Sequence, residues 1–343
     1  MRFSDIEGNE SVKAALTGMV DSGRIPHAIM FHENDGGGAI GMCLAFLQYL
    51  NCHSHDGGDS CGSCPSCNKV TKLIHPDIHF VFPVAGGSII SSGSKPTSLS
   101  YVKQWRELVL SNPFFTESDL NEALGIEGKS AIIAVSEARA ILEKLSFNSL
   151  EGGYKAVVVY LPEKMNAEAA NRLLKSIEEP PEKTQFLLIT HAPEKVLITI
   201  SSRCQSIRLT PVPKSRSAVN ANVAEEQDLF RELLDALASR DWLSALEVGE
   251  GIAALPSRER MKSWCRTASD MLRNIFLLQQ GLDRLVDVPS GDESYYREIA
   301  ARLKKPFSRQ AAAHIDRALM LIERNVNQKI VFCDLVNKLY IIA

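Results

Sequence analysis

Residues Lys155 to Arg208 read KAVVVYLPEKMNAEAANRLLKSIEEPPEKTQFLLITHAPEKVLITISSRCQSIR. Ala156 to Leu161 is an unbroken, mostly apolar run of strand length. Asn166 then stands as N-cap before a helix over Ala167 to Ile177, in which Ala169, Ala170, Leu173, Leu174 and Ile177 share one face. Lys175, Glu178 and Glu179 lie off that face and read as solvated. Pro180-Pro181 ends the helix, and Phe186 to Thr190 forms a second buried strand. Continuous apolar strands flanking a helix indicate a parallel sheet covered on both faces.

Upstream, a helix over Asn9 to Ser22 is stopped by Gly23, and Ile29 to Phe31 reads as a strand. HENDGGGAIG follows from His32 to Gly41, then an apolar helix from Met42 to Leu50. Strand, glycine-rich turn, helix is the setting of a phosphate-binding loop. In the P-loop pattern Gly36 and Gly38 fall at glycine positions. Ala39 stands where the phosphate lysine belongs, and Ile40 where the magnesium-binding Ser or Thr belongs. Alanine brings no charge to a phosphate and isoleucine no oxygen to a metal, while Glu33 and Asp35 add repulsion. The loop therefore reads as a degenerate turn without productive ATP or Mg²⁺ binding.

The second chemical signal is Cys52, Cys61, Cys64 and Cys67, four of the eight cysteines, spaced C-x8-C-x2-C-x2-C. Three cysteines at CxxCxxC spacing share one small knuckle. A fourth nearby completes a tetrahedral set for structural zinc, with no ligand position left open for catalysis. Gly57, Gly58 and Gly62 let the loop wrap an ion. His53 and His55 read as solvated. With Asp5, Glu7, Glu10 and Lys13 breaking the first turns, no secretory signal is legible. The clustered thiols then suit metal binding in a reducing cytoplasm better than disulfides. The whole chain, 343 residues with 45% apolar and 23% charged content, suits two or three globular domains. A formal charge of −3 argues against a protein that grips DNA alone through phosphates, which usually carries a basic surplus.

The words LLKSIEEPP and SSRC, and the IPHA before the glycine loop, resemble clamp-loader AAA+ subunits of bacterial DNA polymerase III, the delta-prime family above all. The resemblance covers roughly the first two-thirds of the chain well and the rest loosely. It implies a P-loop α/β domain over residues 1–211, with a zinc module at about 51–70 and an insertion at about 85–128. A linker or lid remnant at 212–224 and an all-α collar for association at 225–343 complete the chain. An active family member presents two adjacent carboxylates after the strand Val157–Val159. Here Tyr160, Leu161 and Pro162 stand there, and Glu163 reads as a carboxylate opening a helix. Thr190 occupies a phosphate-sensing position with no phosphate to sense. Arg203 matches the arginine that reaches into a neighbour's ATP site, where a permanently charged planar fork suits phosphate oxygens. The partners implied are gamma/tau ATPase subunits and a delta subunit in a hetero-pentamer, with the sliding clamp and primed DNA reached through the complex. The function implied is that of an ATPase-inactive subunit. The rivals are an active ATPase subunit and a stand-alone zinc-dependent nucleic-acid-binding protein.

The remaining stretches are structural in reading. His75-Pro76-Asp77 forms a turn capped by Asp77, before a strand from Ile78 to Val84. Residues 85–100 are a Gly/Ser-rich loop. Residues 101–128 carry a helix with Trp105 and the NPFF segment, with no readable purpose. Ile132, Ile133 and Val135 make a short strand, and Ser136 caps a helix from Glu137 to Leu145. Cys204, Trp264 and Cys265 read as core. Six helices fill the chain from Gln227 to Tyr340.

Overall fold

The computed structural model describes residues 1–86, 96–210, 221–286, 288 and 291–343. It divides into two units, Met1–Val212 and Pro213–Ala343. The first unit runs α1 (Glu10–Asp21), β1 (Ala28–His32), α2 (Ala39–Leu50), a small hairpin β2 (His55–Asp56) and β3 (Asp59–Ser60), α3 (Pro65–Thr71) and β4 (Ile78–Val81). It continues with α4 (Val102–Ser111), α5 (Glu117–Ala123), α6 (Val135–Ser146), β5 (Lys155–Tyr160), α7 (Ala167–Glu178), β6 (Thr184–Thr190), α8 (Ile198–Ser201) and β7 (Gln205–Arg208).

Five strands form one sheet in the order β4-β5-β6-β1-β7, and every neighbouring pair is parallel. Successive strand side chains point to opposite faces, and here both faces are dry. Ile29, Phe31, Ala156, Val158, Tyr160, Leu187 and Ile189 pack with the residues of α2. Their alternates Ala28, Met30, Val157, Val159, Phe186 and Leu188 pack against α6 and α7, including Ile141, Leu145, Leu173 and Ile177. All twelve residues of α2 are buried. It begins at Ala39, three residues before the expected Met42, because Gly38 in a left-handed conformation turns the chain straight into the helix.

Several local expectations need correction. The strand beginning at Ile78 ends at Val81, and Val84 makes only an isolated antiparallel bridge to Ile132. Ile133 bridges to Met165, so residues 132–135 are two bridges and not a strand. That bridge fixes the chain so that α6 begins at Val135, placing Ser136 in its first turn and not at its cap. Asp77 does not cap its own turn. It accepts from Ser149 Oγ at 2.9 Å and from the backbone of Leu150 and Glu151 at 2.8 and 2.9 Å, tying β4 to the entrance of β5. Those three donors, opposed by burial, hold its carboxyl below the ordinary range. Most of the Gly/Ser-rich loop at 85–100 and most of the 212–224 linker lie outside the described residues.

The second unit contains α9 (Ala221–Ala238), α10 (Trp242–Ala253), α11 (Arg258–Gln279), α12 (Glu293–Arg302), α13 (Phe307–Glu323) and α14 (Gln328–Ile342). Residues 221–224 thus open a helix, where a linker was expected. Trp264 is fully buried between the rings of Phe230 and Phe332, each 5.7 Å away and steeply tilted. A Cβ on Gly249 would lie 2.8 Å from Val336 Cγ2, so glycine sets the close approach of α10 to α14. The buried Glu226 is met by Arg260 Nη1 at 3.0 Å, Ser263 Oγ at 3.0 Å and Thr267 Oγ1 at 2.9 Å. A parallel sheet unit followed by an all-helical unit is the architecture expected from the sequence. No helix of the described residues is long and apolar enough to cross a membrane.

Candidate functional site

In an open parallel sheet, ligands enter at the carboxyl ends of the strands, where the strand order reverses. Here that crevice lies beyond His32 of β1, Tyr160 of β5 and Thr190 of β6, facing the N-terminus of α2. Gly36 (φ 78°) and Gly38 (φ 89°) turn the backbone as a phosphate loop requires. The anion position, however, is filled from within. The backbone N–H of Ala39, at the start of α2, donates to Glu33 Oε2 at 2.7 Å. A Cβ on Gly37 would lie 2.5 Å from the same oxygen, so the carboxylate sits inside the loop. A helix N-terminus favours an anion, and this chain supplies its own.

The NPFF segment closes the loop from outside. A Cβ on Gly38 would lie 2.5 Å from Phe114 Cε1, and one on Gly36 would lie 3.3 Å from the Phe114 carbonyl. The next turn is anchored to the loop: Glu117 N–H donates to Asp35 Oδ1 at 3.0 Å, and Lys164 Nζ lies 2.6 Å from Glu117 Oε1. Trp105, Phe115 and Tyr160 pack ring to ring beneath it. The insertion whose purpose the sequence left blank therefore covers the crevice.

The crevice is acidic. Glu163 accepts from Thr190 Oγ1 at 2.7 Å and His191 N–H at 3.1 Å. It stands in the first turn of the short 3-10 helix Pro162–Lys164, as a helix-entry carboxylate should, and also closes the end of β6. Thr190 serves this bond and accepts from Ala192 N–H at 3.1 Å. His191 Nδ1 lies 3.1 Å from Asp35 Oδ1. Burial opposes charge on this imidazole, but Asp35, with Glu33 and Glu163 behind it, raises its pKa above the ordinary value. Burial likewise pushes Glu33 up to about 7, against the Ala39 N–H and His191. The basic groups His191 and Lys164 are thus both committed to carboxylates. Ala39 and Ile40 are themselves buried, at 0% and 2% exposure, so neither position offers a side chain to the crevice.

The four cysteines meet as the spacing requires. The sulfurs of Cys52, Cys61, Cys64 and Cys67 all lie within 4.8 Å of one another. Cys61 and Cys67 Sγ are 3.9 Å apart, against about 3.8 Å between thiolates on one tetrahedral zinc. Backbone N–H groups point at the sulfurs: Cys61 to Cys52 Sγ and Cys64 to Cys61 Sγ at 3.3 Å, Cys67 to Cys64 Sγ at 3.5 Å. The N–H groups of Ser63 and Cys64 draw the Cys61 thiol down to about 6. This donor set fits a metal ion held by thiolates. Asp59 ties the knuckle to the amino-terminal segment by accepting from Phe3 and Ser4 N–H at 3.2 and 2.9 Å. His55 stays exposed and outside the cysteine set, as expected. It stacks on Tyr49 at 3.9 Å and bonds the Tyr49 carbonyl at 3.0 Å.

Arg203 stands elsewhere. It precedes the amino end of β7, whereas the phosphate loop follows the carboxyl end of the parallel neighbour β1, with Ile29 beside Gln205 and His32 beside Arg208. The strand between spans about 10 Å. All three guanidinium nitrogens are engaged locally. Nε and Nη2 converge on Glu178 Oε1, and Nη1 donates to the Thr199 carbonyl at 2.8 Å and to Ser202 Oγ at 3.3 Å. Cys204 is half-buried, short of the core position expected. Sequence reasoning missed Phe114 and Glu178. Their only signals were an aromatic pair inside an insertion and an acidic pair before Pro-Pro.

Residues 8–213 match the family model described as DNA polymerase III, delta subunit. The chain belongs to that family. Among curated relatives, the DNA polymerase III subunit delta' of Yersinia pestis is 32% identical over 191 residues, covering 55% of this chain and 43% of the relative. That of Escherichia coli is 29% identical, covering 58% and 47%. A DNA polymerase III subunit gamma/tau from Mycobacterium bovis is 27% identical, covering 66% of this chain and 32% of its own length. The matched stretch thus spans less than half the length of each of these relatives.

The crevice of this family member sets a pH test. A carboxyl whose folded pKa is raised stabilises the fold least when ionised, so stability falls as pH rises from about 4.5 through about 7. Glu33→Gln keeps the acceptor for Ala39 N–H but cannot ionise. Discounted for partial exposure, the variant should be more stable than wild type at pH 8 by about 1–2 kcal/mol and lose that advantage at pH 5. Urea midpoints at the two pH values measure this. Midpoints that track wild type at both would contradict it.

Proposed function

We propose that this chain is the delta-prime-type subunit of a bacterial DNA polymerase III clamp loader, working in the cytoplasm without hydrolysing ATP. One observation carries the reading. The position where a nucleotide phosphate would lie is held by the Glu33 carboxylate and capped by Phe114, in a chain of this family. With Ala39 and Ile40 in place of the phosphate lysine and the metal-binding hydroxyl, both the charge and the space for a triphosphate are missing.

Its work is then mechanical and in trans. The sheet separates Arg203 from its own loop, which supports service to a neighbour: the arginine meets the ATP of an adjacent gamma/tau-type subunit. The helical unit joins the subunits, a delta-type subunit completes the pentamer, and ATP turnover is coupled to placing the sliding clamp on primed DNA. The four cysteines hold one structural Zn²⁺. Cys52, Cys61, Cys64 and Cys67 fill its shell and fold the knuckle onto α2 and the amino-terminal segment.

Two measurements test these assignments. In the complex reconstituted with its ATPase and delta partners, with clamp and primed DNA, Arg203→Ala should remove the turnover of the adjacent site, where such a finger is worth ~10³ to 10⁵ in rate. Unchanged turnover would refute the role. Elemental analysis should find one zinc per chain, lost in Cys64→Ser, and chelation should lower the melting midpoint by several degrees. A chain with no zinc and an unmoved midpoint would refute the metal.

A further inference from the structure

Glu178 is the last residue of α7, followed by a second acid, Glu179. Negative charge at the carboxyl end of a helix opposes the helix dipole, so this carboxylate needs a cation. Arg203 supplies it, with Nε and Nη2 both on Glu178 Oε1. The chain fixes the rest of the geometry. His27 Nδ1 bonds the Glu178 carbonyl at 3.1 Å, and Nη1 of Arg203 is held by Thr199 and Ser202. These contacts use four of the five guanidinium N–H donors and leave one on Nη2, so a two-pronged grip on a phosphate requires the arginine to leave a partner. Thr199 and Ser202 lie on the arginine's own turn and travel with it. Glu178, twenty-five residues away, is the partner that can be exchanged.

We propose that Glu178 is a positioning residue for Arg203. Its carboxylate acts as an internal anion that holds the guanidinium on this chain until the phosphate oxygens of a nucleotide on the neighbouring subunit displace it. This rests on the reading of Arg203 as a finger in trans. The pair is built to be exchanged: the side chains are 34% and 45% exposed, so water and salt screen it. A dianionic or trianionic phosphate outcompetes a single screened carboxylate, whereas in the absence of nucleotide the arginine stays ordered and does not search solvent. The held fraction lowers the apparent engagement of the finger by the factor the pair is worth.

The test uses the reconstituted complex and compares wild type, Glu178→Gln and Arg203→Ala by kcat and KM for ATP at low and raised ionic strength. At low salt Glu178→Gln should raise kcat/KM about 2- to 5-fold, the size of a half-exposed pair. At raised salt it should converge on wild type, because screening already frees the arginine. A residue that merely supported the end of α7 would give a loss, and one independent of salt. If Arg203→Ala is impaired while Glu178→Gln matches or falls below wild type at low salt, the hold is overturned and the finger stands. If Arg203→Ala is unimpaired, both are overturned. Far-ultraviolet circular dichroism and the melting midpoint of each purified chain establish that the variants are folded.

Discussion

The hydrogen bond from Ala39 N–H to the Glu33 carboxylate decides what this sheet can do. The first backbone N–H groups of any helix lack partners within it, and in a phosphate loop they wait for a ligand. Here the first of them is satisfied by the chain itself, at 2.7 Å, from the residue just past the strand. Burial raises Glu33 to about 7, against the pull of the Ala39 N–H and His191. Protonated or ionised, it accepts the bond and fills the space. The closure therefore rests on volume and hydrogen bonding as well as on charge. Around it, Asp35, Glu117, Lys164, Glu163 and His191 form a chain of polar contacts anchored on three strand ends.

With the crevice closed, the same fold offers other uses. The sheet and the layers on its two faces remain a rigid platform. The cysteine knuckle packs beside α2 and the amino-terminal segment, and Arg203 precedes the amino end of β7. The insertion between β4 and β5, with Trp105, Phe114 and Phe115, converts a cleft into packed interior. At the loop itself, the Glu33 carboxyl and the Phe114 ring occupy the space beside Gly37, Gly38 and Ala39.

Much of this was legible in the sequence because it rests on short-range rules. The apolar strands of Lys155 to Thr190, the Asn166 cap and the cysteine spacing each depend on neighbours a few residues apart, and each stands in the structure. What was not legible depends on long-range contact. Glu33 looked like a charge near a turn, since nothing local shows that it folds back into the loop. Phe114 meets Gly38 across seventy-six residues of chain, and Asp77 reaches residues 149–151. Glu178 looked solvated because it lies off the apolar face of α7, and its partner comes from the next crossover. Ser136 failed as a cap because the bridge between Ile133 and Met165 set the start of α6 by tertiary pairing, which local propensity cannot report.

The most direct measurement is equilibrium binding of ATP with Mg²⁺ to the isolated chain, followed by calorimetry. A self-filled phosphate loop should give no saturable heat up to about 1 mM nucleotide, a binding free energy weaker than about −4 kcal/mol. Saturable binding in the micromolar range, with Glu33 and Phe114 displaced from the loop, would contradict the account at its centre.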